Sequence, residues 1–474
     1  MNIFFKLLFI CLFLGLGNEG DAQSKTRVVC VGNSITFGSG LKDPAKESYP
    51  AQLQALLGPA YEVLNFGVSG ATMLKNGNKP YWKTPEYQQV LNSSPNLVFI
   101  KLGTNDSKQI NRAQMVNFVK DYKEMIHIFR GLTSRPRVVL LLPVKAFSDT
   151  QFGISGTYLR DSLMPSVQKI AYEEDLELID LYSLFSDKEA LLADKIHPNA
   201  LGDCFIAERL KAFILQPTKA GKDFSGQLKM EVKKNSFFGY EELSFLFKGR
   251  KAKIVRPKLV AKGMPWIWRA RFYGHEPQTD IALLERGFHV VYCDVAELFG
   301  NQESIAIWND FYAYLRKMGF AQKAVMEGMS RGGVYVYNWA AANPEKVACV
   351  YADNPVLDLK SWPGGKGKGP GSKENWALFL KDYGFQEESE AVGFKGSPID
   401  QIAAIVKGKY PMLHVCGDLD EVVPMAENSL PFVEKIKAAG GNIQLIHKPE
   451  GKHHPHSLPN PQSIVDFILK ATGY

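Results

Sequence analysis

Two serines in this chain stand in sequence contexts that suit a nucleophile, and each is followed along the chain by aspartates and histidines. Ser34 lies in the segment GNSIT at residues 32–36, and Ser330 lies in GMSRG at residues 328–332. A serine hydroxyl attacks a carbonyl carbon only when a histidine removes its proton and N–H donors stabilise the developing oxyanion. The residue types therefore predict acyl transfer through an acyl-serine intermediate, at two separate places in the chain.

The first set joins Ser34 to Asp194 and His197. The apolar segment VVCVG ends two residues before Ser34, which predicts a serine at the carboxyl edge of the first strand, where chemistry gathers in open α/β sheets. Asp194 and His197 are three residues apart in DKIHPN, so the carboxylate can orient the imidazole while the imidazole reaches the serine. Taken alone, a serine after a strand, such as Ser34, is more often a helix N-cap, and HPN would suit a turn that enters a helix.

Four segments of the first half, taken together, favour catalysis. In chain order they are GNSITFGSG, NFGVSGAT, LGTNDS and DKIHPN, and they resemble the four blocks of the SGNH, or GDSL-type, hydrolase family. The resemblance covers residues 27 to about 215. It implies the following roles: Ser34 as nucleophile, His197 as base, Asp194 as the residue that orients it, and an oxyanion hole made by the backbone N–H groups of Ser34 and Gly70 and the side-chain amide of Asn105. Asn33 stands where many members of the family carry aspartate, a change that removes no catalytic group.

The second set is built on Ser330. The strand-like segment KAVMEGM precedes this serine and the helical segment VYVYNWAAA follows it. Strand, sharp turn and helix form the context in which G-x-S-x-G is a nucleophile elbow. We expect the backbone N–H of Arg331 to be one oxyanion donor and the loop at residues 271–274 to supply another.

The acid of the second set has more than one candidate. Asp420 follows the strand-like segment PMLHVCG within GDLDEVVP, an arrangement that resembles the acid loop of α/β-hydrolases and of prolyl-oligopeptidase-like enzymes. Asp353, in YADNP after the preceding strand, is the main alternative, and Glu421 is a weaker one. We expect Asp420 to be the acid.

The base of the second set must follow the last strand-like segment, IQLIHKPE. His453, His454 and His456 all qualify, and His453 best matches the position that the resemblance to α/β-hydrolases implies. The other two are expected to bind substrate or to cap the next helix, with His454 as the substrate-binding candidate. Adventitious metal binding by the three histidines is the alternative interpretation.

The segment WIWRARFYGHE, at residues 266–276, is rich in aromatic and cationic side chains, and we expect it to lie beside the mouth of the second site. Trp266 and Trp268 alternate along a strand, which favours packing in the core, with stacking on a sugar as the alternative. Arg269 or Arg271 would suit a uronate carboxylate. A cation beside a nucleophile contributes little to packing, so we expect Arg271 to bind substrate and Arg331 to take part in its recognition.

The order of strand-like and helix-like segments predicts an α/β protein of two domains. Five short apolar segments separated by helical stretches indicate a five-stranded parallel, flavodoxin-like sheet in the first half. About eight strand-like segments follow residue 240, which is the count expected of an α/β-hydrolase sheet. The expected boundaries are a signal peptide at 1–22, an SGNH domain at 23–215, a linker at 216–226, and an α/β-hydrolase domain at 227–474.

Composition restricts the setting of the protein. Lys6 and the apolar run at 7–16 predict a secretory signal peptide cleaved near Ala22-Gln23, hence a secreted or periplasmic protein without an integral membrane segment. The net charge of +7 is mild for 474 residues and argues against a nucleic-acid partner. The sequence contains six cysteines; one, Cys11, lies in the apolar run, and the odd number that follows predicts buried free thiols. No C-x-x-C or H-E-x-x-H motif occurs, so we expect no metal and no cofactor.

These features predict a secreted carbohydrate esterase with two active centres. SGNH domains of this pattern commonly act as O-acetylesterases. The second centre would remove a second ester, such as methyl, acetyl, feruloyl or glucuronoyl, from the same polysaccharide or oligosaccharide. Two alternatives stay open: a lipase or phospholipase, or a single active SGNH centre beside a non-catalytic α/β-hydrolase-like binding domain. A peptidase activity of the second half is a third, more distant alternative.

Overall fold

The computed structural model describes residues 25–220 and 224–474 of the chain. The expected signal peptide and its cleavage site lie outside the described residues. Within the described ranges, no helix is long and apolar enough to cross a membrane. The described strands form sheets of five, nine and two strands.

The first half is organised around a parallel sheet in the order β2-β1-β3-β4-β5. Its strands are β1 (Thr26–Gly32), β2 (Tyr61–Gly67), β3 (Leu97–Lys101), β4 (Arg137–Leu141) and β5 (Glu177–Ile179). Its helices are α1 (Ser34–Phe37), α2 (Pro44–Glu47), α3 (Tyr49–Leu57), α4 (Pro85–Asn92), α5 (Phe118–Arg130), α6 (Gly156–Tyr158), α7 (Met164–Glu173), α8 (Leu181–Leu184) and α9 (Ala200–Leu215). The five-stranded parallel sheet predicted from the sequence is thereby confirmed.

The central strand β1 shows why the sheet carries helices on both faces. Val29 and Val31 pack in one apolar cluster and Val28 and Cys30 pack in another, on opposite faces of the sheet. Side chains alternate between the two faces of a strand, so a strand that is apolar throughout needs a core on each side. This burial fixes the carboxyl end of β1, and with it the position of Ser34.

The second half contains the nine-stranded sheet in the order β16-β15-β14-β13-β11-β12-β9-β8-β7, and β6 pairs with β10. Its strands are β6 (Thr218–Ala220), β7 (Lys233–Phe237), β8 (Tyr240–Phe247), β9 (Arg250–Arg256), β10 (Leu259–Ala261), β11 (Trp266–Arg269), β12 (His289–Cys293), β13 (Ala324–Met329), β14 (Val347–Asp353), β15 (Met412–Gly417) and β16 (Ile443–Lys448). Its helices are α10 (Gln278–Leu284), α11 (Gln302–Lys317), α12 (Gly332–Ala342), α13 (Lys373–Tyr383), α14 (Glu388–Gly393), α15 (Ile402–Lys407), α16 (Ser429–Ala438) and α17 (Gln462–Thr472).

All eight strands expected of the second domain are present, and β7 adds a ninth at the edge. β7 has the sequence KKNSF and is exposed over most of its length, so it lacks the apolar pattern that marks the others. β11 and β12 exchange places in the sheet relative to their order in the chain. The α/β-hydrolase architecture of this half is confirmed.

The segment expected to be a linker, 216–226, contains a strand. β6 lies within it and pairs antiparallel with β10, while residues 221–223 lie outside the described residues. The domain boundaries given above therefore stay a prediction.

The two halves contact one another through Glu285. Its carboxylate pairs with Arg209 of α9 and accepts a hydrogen bond of 2.7 Å from the backbone N–H of Asp180. The Tyr240 hydroxyl donates to the backbone carbonyl of Leu178 at 3.3 Å. These contacts join the end of α10 and the start of β8 in the second half to α9 and the end of β5 in the first half.

Trp266 and Trp268 are fully buried, and the ring of Trp268 lies 4.5 Å from that of Trp308. Neither tryptophan can stack on a sugar, so the core interpretation holds. All five cysteines of the described residues are free thiols, four of them buried. Burial raises the pKa of Cys30 and of Cys416 to about 12, so these thiols stay protonated and unreactive.

Candidate active sites

The structure brings the first predicted set together at the carboxyl end of β1. Ser34 begins α1, and its Oγ lies 2.8 Å from Nε2 of His197. His197 Nδ1 lies 2.6 Å from Oδ2 of Asp194. Because an ionised carboxylate can only accept, Nδ1 carries the imidazole proton and Nε2 is free to accept from the serine hydroxyl.

Asp194 is held in place by the backbone of its own loop. Its Oδ1 accepts hydrogen bonds from the N–H groups of Ile196, at 3.0 Å, and His197, at 2.7 Å. Burial alone would raise the pKa of the Asp194 carboxyl, but the hydrogen bonds from His197 and Ile196 together lower it below its ordinary value. The carboxylate is therefore ionised at neutral pH, a charge state that would favour an imidazolium at His197.

Gly70 and Asn105, the remaining members of the first set, lie on the two loops that flank Ser34. Gly70 follows β2 and Asn105 follows β3, the two neighbours of β1 in the sheet. The Asn105 side-chain amide donates to the backbone carbonyl of Ala71 at 3.0 Å, which ties these two loops to one another. The topology thus places both predicted oxyanion donors at the same sheet edge as the serine.

Sequence reasoning missed Asp106, the residue after Asn105. It is completely buried, and its two carboxylate oxygens accept from the backbone N–H groups of Met73, at 2.9 Å, and Leu74, at 2.8 Å. Burial raises the pKa of Asp106 to about 7, although these hydrogen bonds act in the opposite direction. Asp106 positions the Gly70 loop against the Asn105 loop, and the acidic residue inside the motif LGTNDS was the signal for it.

Phe152 was also missed. Its ring lies 5.6 Å from the His197 ring and is tilted by 51°, yet the residue is 55% exposed. Its backbone has φ of +52°, a conformation that non-glycine residues rarely adopt and that is found often at functional sites. An exposed aromatic face therefore stands beside the first histidine.

The second predicted set forms an equivalent arrangement at the carboxyl end of β13. Ser330 Oγ lies 2.9 Å from His453 Nε2, and His453 Nδ1 lies 2.7 Å from Asp420 Oδ2. Asp420 Oδ1 accepts from the backbone N–H groups of Val422 and Val423, at 2.8 and 2.9 Å. Among the three candidate histidines, the structure brings His453 to the serine.

Ser330 occupies a strained turn, as the elbow motif predicts. Its φ is +49°, and its backbone N–H donates to the carbonyl of Asp353 at 2.8 Å. A Cβ on Gly328 would lie 2.8 Å from the backbone oxygen of Gly332, so only glycine fits there. A Cβ on Gly332 would meet nothing closer than 3.7 Å; close packing therefore explains the first glycine of the motif but not the second.

Asp353, the alternative acid, pairs with a different histidine. Its Oδ1 lies 2.8 Å from His456 Nδ1, and its Oδ2 accepts from the backbone N–H of Ser457 at 2.9 Å. His456 is 2% exposed, and its Nε2 has no hydrogen-bond partner among the described residues. Burial lowers the pKa of His456, and its bond to Asp353 offsets part of that effect.

Asn354, the next residue, was not expected in the site. Its amide donates to the backbone carbonyls of Lys452, at 3.2 Å, and His453, at 3.0 Å, while its Oδ1 accepts from the N–H of Gly417 at 2.8 Å. It thereby fixes the loop that carries the histidine to the end of β15, near the loop that carries Asp420. Its place next to Asp353 in YADNP was the available signal.

His454 is exposed at the mouth of the second site, and its ring lies 4.9 Å from that of His453. The nitrogens of His453, His454 and His456 lie within 4.8 Å of one another, close enough to hold a metal ion. Nδ1 of His453 and Nδ1 of His456 are engaged by carboxylates, so the ligand atoms that face one another would be the Nε2 atoms. The Nε2 atom of His453 also faces Ser330, so a metal bound there would compete with the hydrogen bond between His453 and Ser330.

Comparisons with known families agree with this geometry. Residues 30–203 match the GDSL-like lipase/acylhydrolase family, and residues 309–473 match the prolyl oligopeptidase family. Each match contains the serine and the histidine of one of the two sites.

Similar proteins include an acetylxylan esterase from Xylanibacter ruminicola, which is 37% identical over 210 residues in the N-terminal part of this chain. The match covers 40% of this chain and 44% of that protein. A puromycin-hydrolysing peptidase from Mycobacterium tuberculosis is similar in structure at 14% identity and a TM-score of 0.39, over 52% of this chain and 40% of that one. A carbohydrate acetylesterase from Sinorhizobium meliloti is 17% identical with a TM-score of 0.34, over 40% of this chain and 98% of that one. The chain thus spans less than half of the acetylxylan esterase. It joins a domain of the GDSL-like lipase/acylhydrolase family to an α/β-hydrolase domain of the prolyl oligopeptidase family.

Proposed function

We propose that this chain is a carbohydrate esterase with two catalytic centres, one at Ser34 and one at Ser330. The observation that carries the proposal is that each serine hydroxyl lies within hydrogen-bond distance of a histidine whose other ring nitrogen contacts an aspartate. This is the arrangement that activates a serine as a nucleophile.

Both centres would use the same two half-reactions. In the first, the histidine takes the serine proton as Oγ attacks the ester carbonyl, and it then gives that proton to the leaving alcohol while the acyl-serine forms. In the second, the histidine takes a proton from water, the resulting hydroxide attacks the acyl group, and the serine leaves with the proton as the acid is released. The aspartate stabilises the imidazolium that exists between the two proton transfers.

At the first centre we assign Ser34, His197 and Asp194 to these roles, and Gly70 and Asn105 to the oxyanion hole. The similarity to an acetylxylan esterase supports acetyl esters of polysaccharides, xylan among them, as substrates. The expected signal peptide fits a polymer substrate that is met outside the cytoplasm.

At the second centre we assign Ser330, His453 and Asp420 to catalysis and the backbone N–H of Arg331 to the oxyanion hole. An ester on the same polymer, such as an acetyl, methyl, feruloyl or glucuronoyl ester, is the proposed substrate. Cleavage of an amide bond is the second candidate, because the family that matches this half is a peptidase family. The acyl-enzyme chemistry is the same in both cases, and only the leaving group differs.

Covalent labelling would test whether both centres are activated. A fluorophosphonate phosphonylates an activated serine with loss of fluoride, and the adduct is counted by intact-protein mass. We expect two adducts on the wild type, one on Ser34→Ala, one on Ser330→Ala and none on the double variant. A single adduct on the wild type that persists in Ser330→Ala would contradict the second centre and favour a binding domain.

Substrate panels would separate the remaining alternatives. Release of long-chain fatty acid from a phospholipid or triglyceride, faster than release of acetate from acetylated xylan, would instead support a lipase or phospholipase. Ser330-dependent cleavage of aminoacyl amides without cleavage of any ester would assign a peptidase to the second half.

A further inference from the structure

Three arginines surround the second site, and they differ in how their charge is balanced. Arg269 is fully buried and pairs with Asp280 at 2.7 Å and with Glu327 at 3.1 Å. Arg271 and Arg331 have no carboxylate within ion-pair distance among the residues that the structure describes. The first arginine therefore forms ion pairs within the fold, and the other two form none with described residues.

Arg331 follows the nucleophile and lies against an aromatic wall. It is 9% exposed, and its guanidinium carbon lies 4.9 Å from the centre of the Phe299 ring and 5.6 Å from that of Trp362. Its Nη1 donates to the Asn375 side-chain oxygen at 2.8 Å, while its Nε is buried without a partner. A cation held this firmly beside a reactive serine has one terminal nitrogen, Nη2, left for another acceptor.

Arg271 approaches the same place from the end of β11. A Cβ added to Gly332, two residues after Ser330, would lie 3.9 Å from the Cβ of Arg271. Arg271 is half-buried, and its Nε is also buried without a partner. Its guanidinium makes no hydrogen bond with a described residue, so its two terminal nitrogens are left to donate to a ligand.

Two guanidinium groups of like charge thus interact near the second serine, and no described carboxylate is in ion-pair contact with either of them; the charge of Asp382 reaches Arg331 only from a greater distance. Burial lowers the pKa of Arg331, Tyr335 and Asp382 act in the opposite direction, and the neighbouring charge of Arg271 lowers the pKa further. Removing cations from water and placing them side by side is unfavourable unless an anion offsets the cost. A carboxylate is the complementary ligand, because its two oxygens match the paired N–H donors of guanidinium groups.

We propose that Arg271 and Arg331 bind a free carboxylate on the substrate of the second centre. This inference rests on the proposed hydrolytic role of Ser330, and it assigns that centre to esters of acid-bearing sugars, such as uronates. The bound acid group would hold the ester carbonyl against Ser330 and beneath the backbone N–H of Arg331.

A matched pair of substrates tests this assignment in the Ser34→Ala background, where only the second centre can act. O-Acetylated methyl galacturonoside and O-acetylated methyl galactoside differ only in the carboxylate at C6. We expect kcat/KM to favour the uronate by about 100-fold, because a hydrogen-bonded charge contributes about that factor. Arg271→Gln and Arg331→Gln should each reduce this preference by at least about tenfold, mainly through KM, and Arg331→Lys should restore part of it.

Lys437→Gln on the surface of α16 is the matched control, because it removes the same unit charge away from the serine. It should leave the preference for the uronate unchanged. Equal kcat/KM for the two substrates, or a preference that survives both arginine variants, would overturn the inference while leaving the esterase proposal intact.

Binding separates the inference from the proposed function. Calorimetry on Ser34→Ala/Ser330→Ala protein would measure the affinity for methyl galacturonoside, methyl galactoside and the galactoside 6-phosphate. Selective uronate binding that is lost in the arginine variants supports the carboxylate site, even if no ester is cleaved. Absent uronate binding, or tighter binding of the phosphate, would overturn it.

Discussion

Replacing Asp420 by asparagine should almost abolish activity at the second centre, whereas the same change at Asp353 should not. Asp420 accepts from His453 Nδ1 at 2.7 Å, so an amide nitrogen in its place would force Nδ1 to become the acceptor. The proton would then move to Nε2, which faces Ser330 Oγ at 2.9 Å and could no longer take the serine proton. The comparable change in other serine hydrolases lowers kcat by about 10⁴, which corresponds to about 5 kcal/mol in activation free energy.

Asp353 contacts a histidine that does not contact the serine. Its loss would weaken the pairing with His456 at 2.8 Å and with Lys448 at 3.6 Å. We expect a fall of about 1–3 kcal/mol in the free energy of unfolding and a change in kcat of less than tenfold.

The assay is hydrolysis of a short aryl acetate in the Ser34→Ala background, together with denaturant unfolding of each variant. The reasoning would be refuted if Asp353→Asn lost 10³-fold or more in kcat while Asp420→Asn stayed within tenfold of the parent. That outcome would transfer the acid role to Asp353 and the base role to His456.

Three further changes have expected outcomes. Phe152→Ala should raise KM for acetylated xylan by about fivefold to tenfold, because the exposed ring beside His197 offers a face to a sugar, and should leave kinetics on a short aryl acetate unchanged. Burial raises the pKa of Asp106 to about 7, so the folded chain keeps a proton that the unfolded chain loses near pH 4. The protonated Asp106 therefore adds up to about 4 kcal/mol to the free energy of unfolding below about pH 4. This contribution falls as the pH rises and is lost above about pH 7. Asp106→Asn should flatten that dependence in denaturant titrations between pH 5 and pH 8. Gly328→Ala should destabilise the second half by about 2 kcal/mol or more, since its Cβ would lie 2.8 Å from the backbone oxygen of Gly332, and Gly332→Ala should be tolerated in the same unfolding experiment.

Each of these has an outcome that contradicts it. Equal losses on polymer and aryl acetate in Phe152→Ala would mean that the ring supports the histidine instead of binding sugar, and Phe152→Tyr should keep the wild-type KM. An unchanged pH slope in Asp106→Asn would show that this carboxyl is ionised in the folded protein. Equal stability of the two alanine variants at positions 328 and 332 would refute the packing argument for the elbow.

Strand positions could be predicted from the sequence because the buried strands are marked by their own composition. VVCVG is apolar on both faces, and KAVMEGM is apolar apart from Lys323 and the buried Glu327. Each segment leads to a serine at its end, so the place of both candidate nucleophiles followed from the fold. β7 could not be predicted, because its sequence KKNSF lies exposed at a sheet edge and carries no apolar pattern.

Partner choice among side chains was harder to predict. Asp353 is the last residue of β14 and Asp420 lies just after β15, so both reach the same edge of the sheet. The loop at residues 453–456 offers three histidines. Which aspartate meets which histidine depends on how that loop folds, and Asn354 fixes the loop through contacts distant in sequence. The sequence identified the candidates, and the structure brings together the pairs Asp420–His453 and Asp353–His456.

Arg269 and Arg271 show the same limit. Both lie in WIWRARF and both carry a charge near Ser330, yet Arg269 is enclosed with Asp280 and Glu327 whereas Arg271 has no hydrogen-bond partner among the described residues. The carboxylates that pair with Arg269 come from α10 and β13, which are distant in sequence. The residues next to the two arginines in the sequence therefore do not predict which arginine is paired.

The most direct test of the account is ester release by the wild type, Ser34→Ala and Ser330→Ala from acetylated xylan and from acetylated, methylated pectin, with acetate and methanol measured separately. We predict that Ser34→Ala loses acetate release from xylan and that Ser330→Ala loses ester release from the uronate-containing polymer. If Ser34→Ala abolishes every product and Ser330→Ala abolishes none, the second centre is not an esterase, and the proposal of two catalytic centres is wrong.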